Sequence, residues 1–112
     1  MARNNTEKIK KLGEKGKVRA ILKYVNSKDS DERAAAAAAL GHSTDDDAYN
    51  ALTTLLRDPE IPVRINAAYA LKAMGRSSAV SYLRSAAQNT SDAALIAACN
   101  DAATAVSEGD KQ

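Results

Sequence analysis

The sequence predicts an all-α, right-handed α-solenoid: about three helical hairpins stacked behind a short N-terminal helix. Three observations carry this. The sequence falls on itself without a gap at one constant offset, the one that carries Val18 onto Tyr49 and Tyr49 onto Val80. Each unit contains two stretches with helical apolar spacing. Alanine supplies 24 of the 112 residues, about a fifth of the chain, while Ile, Leu, Val and Phe together supply only 19. Small side chains let helix axes approach closely and lose no side-chain entropy on ordering, so the shortage of large apolar residues fits tight helix stacking. A net charge of only +2 argues against disorder, which needs strong self-repulsion as well as few apolar residues.

The register appears at several positions. Val18, Tyr49 and Val80 align, as do Ile21, Leu52 and Leu83. Farther along come Ala36, Ala67 and Ala98, then Ala37, Ala68 and Cys99, then Leu40, Leu71 and Ala102. Between these apolar groups stand Ser27, Asp58 and Asn89, all turn or cap formers.

A short helix is expected over Asn5–Leu12. Gly13 and Gly16 then read as a turn. Unit one (about 14–41) holds a helix over Glu14–Asn26, with Val18, Ile21, Leu22 and Val25 on its apolar face, and a second over Ser30–Gly41. Gly41 is expected to end that helix in a left-handed conformation. Unit two (about 45–75) begins with a helix over Asp45–Arg57, where Tyr49, Leu52, Leu55 and Leu56 share one face and three aspartates complement the helix dipole. Its second helix is expected over Pro59–Met74. Asp58 serves as N-cap, proline stands at the first helical position, Pro62 lies in the first turn, and Gly75 is a left-handed C-cap. Unit three (about 77–107) holds Ser77–Gln88 and Ser91–Ser107, followed by a frayed tail over 108–112. No stretch alternates with period two, so no strand is expected. The chain is one domain over 1–112.

Several function classes are excluded on composition and motif. No run approaches the roughly 18 apolar residues of a membrane span. The opening MARNNTEKIKKLGEKG lacks an apolar core, so no secretory signal is expected, and the chain reads as cytoplasmic. The single cysteine, Cys99, rules out a disulfide framework. Phosphate-binding loops, nucleophile elbows and dinucleotide fingerprints are absent. No catalytic residues, cofactor or metal site are therefore expected. His42 has no companion ligand in sequence, and Asp45-Asp46-Asp47 cannot alone surround an ion.

The stretch Asp58-Pro-Glu-Ile-Pro-Val-Arg-Ile-Asn-Ala-Ala-Tyr-Ala-Leu-Lys-Ala-Met-Gly75 resembles the HEAT-repeat pattern D-x-x-x-x-V-R-x-x-A-A-x-A-L-x-x-x-G. Asp29–Gly41 is a second copy, with Glu32-Arg33 in place of Val-Arg. The third copy is degenerate, with Leu95 at the arginine position and Asp101 where Ala70 stands. The short, Ala-rich units look most like the phycobilisome-lyase-type HEAT subclass. The resemblance implies a scaffold that binds another protein, and a ladder in which the arginine at the Arg33 and Arg64 position pairs with the aspartate of the preceding unit. Asp29, Asp31 and Asp58 are available for that. It also implies an inner face lined by the second helix of each pair. There Asn66, Tyr69 and Ala73, with Ala35, Ala38, His42, Ala97, Asn100 and Thr104 at equivalent positions, form a strip of small groups around one tyrosine. Asn66, Tyr69, Ala73 and Asn100 are the expected contacts to a protein partner.

Charge suggests an alternative. Residues 1–28 carry nine Lys or Arg and two acids, net +7, whereas residues 29–112 carry seven and twelve, net −5. On a helix over Glu14–Asn26, Lys15, Arg19 and Lys23 would share one face. Such a face could take nucleic acid or another polyanion, although only Tyr24 lies among the basic residues to stack on a base. A lyase-like enzyme subunit is a further alternative, resting on the resemblance alone. The free chain is expected to be a monomer, with the degenerate last helix acting as a cap.

Overall fold

The structure, a computed structural model, describes residues 4–109. Seven helices follow one another: α1 (Thr6–Glu14), α2 (Val18–Leu22), α3 (Ser30–Leu40), α4 (Asp46–Leu55), α5 (Ile61–Met74), α6 (Ala79–Gln88) and α7 (Ala93–Gly109). No strand occurs among the described residues. Helices α1, α3, α5 and α7 pack in sequence against one another and form one layer. Helices α2, α4 and α6 form the other, with α4 packed on α5 and α6 on α7. The shortest dimension, 17 Å, is that of two helix layers. This is the expected helical stack, and its core is the aligned apolar set. Ile21, Leu52 and Leu83 from the α2–α4–α6 layer, and Leu40 and Leu71 from the other, are all fully buried. Ala36, Ala37, Ala67, Ala68 and Cys99 lie between them, also buried. Burial pushes the Cys99 thiol above its usual pKa, so it stays protonated and packs as a small apolar group.

The N-terminal helix is more than a leader. Ile9 stands one repeat before Leu40 in the same register, is fully buried, and packs α1 onto α3 as the next leucine packs α3 onto α5. The second-helix layer therefore begins one member earlier than the repeat pattern suggests. Gly13 is correspondingly not a turn residue. It lies inside α1, where a Cβ would come within 2.8 Å of the Ala39 Cβ. The turn is made by Gly16 at φ +67. Gly13→Ala should thus lower stability by about 1–3 kcal/mol through overpacking, read as a shifted urea midpoint. An unchanged midpoint would show that α1 does not dock closely.

Four local expectations are corrected. The helix expected over Glu14–Asn26 shrinks to Val18–Leu22, because Glu14 ends α1 and Gly16 breaks the chain direction. Beyond Leu22 the backbone continues through i→i−3 turns, as in Tyr24 N–H to Ile21 O at 2.9 Å and Ser27 N–H to Tyr24 O at 3.1 Å. β-branched residues and uncompensated lysines give this stretch little helical support. Gly41 is not left-handed: its φ is −62. It is needed instead for close approach, since a Cβ there would lie 3.0 Å from the Ala70 Cα. Asp58 is not an N-cap. Glu60 occupies that position, α5 starts at Ile61, and Pro62 rather than Pro59 takes the proline-tolerant first turn. The left-handed C-cap at Gly75 is present, at φ +71. Glu108 and Gly109 continue α7 instead of fraying, and the rest of the expected tail lies outside the described residues.

Candidate functional site

The face built by α3, α5 and α7 presents Ala38, Tyr69, Ala73, Ala97, Asn100 and Thr104 to solvent. Tyr69 is 52% exposed, and among the described residues Tyr82 is the other large exposed apolar side chain. The reason is local: Val63, Ala67, Ala70 and Leu71 define the buried stripe of α5, and Tyr69 falls off it. Asn66 differs from its neighbours. Its Nδ2 donates to the Ala34 carbonyl at 2.9 Å, so it staples α5 to α3 and is only partly accessible. At the α1 end the same layer carries a groove of about 480 Å³. Gly13, Ala35, Ala38 and Ala39 form its apolar lining, and Glu7, Lys10, Glu14 and His42 supply polar groups. α1 thus extends this face by one helix, which the repeat analysis missed. Ile9, in register with Leu40 and Leu71, is the signal that could have revealed it.

The three basic residues of the alternative site do not share a helix. Lys15 is the C-cap of α1, Arg19 lies within α2, and Lys23 is the C-cap of α2. Arg19 and Lys23 line one shallow depression, but so does the acidic Asp45, whereas Lys15 lies outside it. Arg19 is bound to Asp45 at 3.0 Å and Asp47 at 2.6 Å. The aspartate run of α4 is accounted for in the same way. Asp45 caps the helix by accepting from Asp47 N–H, and Asp46 pairs with Arg76 at 2.9 Å. The Arg76 guanidinium also lies 4.7 Å from the centroid of the Tyr49 ring. No group of three metal-ligating side chains occurs among the described residues. No helix among them is long and apolar enough to cross a membrane.

Polar contacts that join units are more specific than the sequence implied. Arg33 donates from Nε to Asp58 Oδ1 at 2.8 Å and from Nη2 to Asp58 Oδ2 at 3.1 Å. Its Nη1 donates to the Ser27 carbonyl at 2.8 Å. Asp58 also accepts from the Glu60 N–H at 2.9 Å. The ladder therefore runs forward, from the arginine of one unit to the aspartate shortly before the second helix of the next, and not back to the preceding unit; Asp29 and Asp31 form no salt bridge in it. Burial pushes the Asp58 carboxyl up. The Arg33 hydrogen bonds, the Glu60 N–H and the charges of Arg33 and Arg64 outweigh this and hold it below its usual value. Glu32 was not singled out from the sequence. Its carboxylate accepts from Ser27 Oγ at 2.6 Å and from Asn5 N–H at 2.8 Å. The Ser27 and Asn5 contacts lower its pKa and tie the start of α1 to α3.

No curated protein matches this chain. A family model described as HEAT repeats matches residues 17–103, a span that covers most of the chain, from the start of α2 into α7. With the repeat register, the two-layer stack and the Arg33–Asp58 ladder already in place, that match shows that the chain belongs to the HEAT-repeat family.

Proposed function

We propose that this chain is a non-enzymatic adaptor or scaffold subunit that binds another protein on the face formed by α3, α5 and α7. HEAT repeats are generally protein-interaction modules, which supports the class. The observation that carries the specific face is Tyr69: a half-exposed aromatic ring among alanines, with Asn100 beside the strip as a hydrogen-bonding group. Tyrosine is a favoured interface anchor because it offers large contact area with few rotatable bonds. Tyr69, Ala73 and Asn100 are the contacts in this reading, and Asn66 keeps the face in shape from beneath. The occupant is a helix or extended segment of a partner, since a strip of small side chains admits close approach of a backbone. The unit length and alanine content support placing the chain with the short-unit, phycobilisome-lyase-like subclass.

Replacing Tyr69 with a photo-crosslinking phenylalanine derivative tests this in the source cell. Crosslinks to one protein are expected from position 69 and not from exposed Asn50 on the opposite layer. With that partner in hand, Tyr69→Ala should cost about 2 kcal/mol or more of affinity while changing folding stability by roughly 0.5 kcal/mol. A large loss of stability would make Tyr69 part of the core. Equal crosslinking from both positions would refute the assigned face. The polyanion reading through Lys15, Arg19 and Lys23 has less support, because Arg19 already holds two carboxylates.

A further inference from the structure

The inter-unit ladder is complete in its first step and broken in its second. Arg64 stands one repeat after Arg33, and Asn89 stands one repeat after Asp58. Arg33 binds a backbone carbonyl, that of Ser27, and a carboxylate, that of Asp58. Arg64 binds the equivalent carbonyl, that of Asp58, through Nε. Where the carboxylate should follow, the chain has the neutral amide of Asn89. That amide is turned back on its own helix, donating to the Ser85 carbonyl at 2.9 Å and Ser85 Oγ at 3.3 Å. The terminal nitrogens of Arg64 have no hydrogen-bond partner among the described residues.

This arginine is not isolated. A groove of about 330 Å³ runs between α4 and α6, which do not pack closely on each other. Arg57 and Arg64 line it together with Tyr82, Ser85 and Asn89, and no carboxylate does. Arg57 is exposed and forms no salt bridge among the described residues; Glu60, one turn before Arg64, forms none with it. Two arginines and the hydroxyl-bearing Tyr82 and Ser85 therefore line a groove at the position equivalent to the one where Arg33 meets a carboxylate, although the Arg64 charge is also felt by Asp58.

We propose that this groove binds the phosphomonoester of a phosphorylated serine or threonine on a partner protein. A carboxylate would replace the missing aspartate but match only one of the two cations. A phosphomonoester carries about −1.5 to −2 charges and three acceptor oxygens, which suits two guanidinium groups. Arginine is also the side chain whose planar fork best fits phosphate oxygens. The site lies on the α4–α6 layer, so it stands or falls independently of the Tyr69 face.

The test is a ¹⁵N-edited NMR titration of the full chain with a glycine-flanked phosphoserine peptide, its unphosphorylated form and inorganic phosphate. The phosphopeptide and inorganic phosphate should both shift the amides of Arg57, Arg64, Ser85 and Asn89, and the unphosphorylated peptide should not. Arg57→Gln and Arg64→Gln should each weaken binding by about tenfold or more, the loss of one charge-assisted contact. Asn89→Asp is the decisive variant, because it supplies the missing carboxylate; it gives up the amide's bond to the Ser85 carbonyl at the end of α6, so its fold is checked by circular dichroism. It should keep the helical spectrum and abolish the phosphate-induced shifts. Absence of shifts, shifts confined to the lysines of residues 8–23, or shifts that survive in Asn89→Asp would each overturn the proposal. Binding of inorganic phosphate without the phosphopeptide would overturn the assignment to a phosphoprotein.

Discussion

Asp58→Ala should destabilise the fold by about 3–5 kcal/mol, a large share of what a domain of this size possesses. The side chains of Arg33 and Asp58 are only 14% and 5% exposed, so removing the carboxylate leaves a guanidinium buried between two units without its counter-charge. The loss comes from that orphaned charge, not from the net strength of the pair. Replacing both residues together, as in Arg33→Met with Asp58→Leu, should therefore recover much of the stability. Urea denaturation of the two single variants and the double variant measures this. Equal losses in the Asp58 variant and the double variant would show that the pair contributes through packing alone. The same site predicts a pH dependence. The Asp58 carboxyl is held below its usual value, so its contribution is fully present above the unfolded pKa of about 3.9 and is lost as pH falls through the folded value. The acid limb of the stability curve below about pH 4 should be shallower in Asp58→Ala than in the natural chain. Parallel acid limbs would show that Asp58 titrates alike in the folded and unfolded chain.

Leu71→Ala should cost about 2–5 kcal/mol. Leu71 is fully buried in α5, the helix that packs on α3, α4 and α7 together. A cavity there borders three neighbours, and the surrounding alanines are too short to swing into it. Leu52→Ala, on the other layer of the same unit and equally buried, should lose a comparable amount. A loss under about 0.5 kcal/mol at either position, read from denaturant midpoints at unchanged slope, would mean that the core relaxes around the gap.

The free chain is expected to be a monomer, with the degenerate α7 acting as the cap of the stack. Light scattering across a concentration series should return the mass of one chain; a mass of two chains that persists on dilution would refute the capping of the stack.

What the sequence determined by itself was the repeat. Helix periodicity and a constant register depend on spacings along the chain alone, and three copies reinforce the same reading. So the all-helical stack, the burial of Leu40, Leu52, Leu71 and Leu83, the exposure of Tyr69 and the left-handed Gly75 were all legible from it. What only the tertiary structure decided were matters of approach between units. Gly13 looks like a turn, and Gly41 like a left-handed stop, until Ala39 and Ala70 are seen against them. Asp58 looks like a cap until Arg33, a unit away, claims its carboxylate. Lys15, Arg19 and Lys23 look like one basic face until Gly16 turns the chain and the α4 aspartates take up Arg19. The reason is common to all of them. Local spacing sets which face of a helix is apolar, whereas the partner of a charge or the need for a missing Cβ is set by residues almost a full repeat away, which meet only when the units stack.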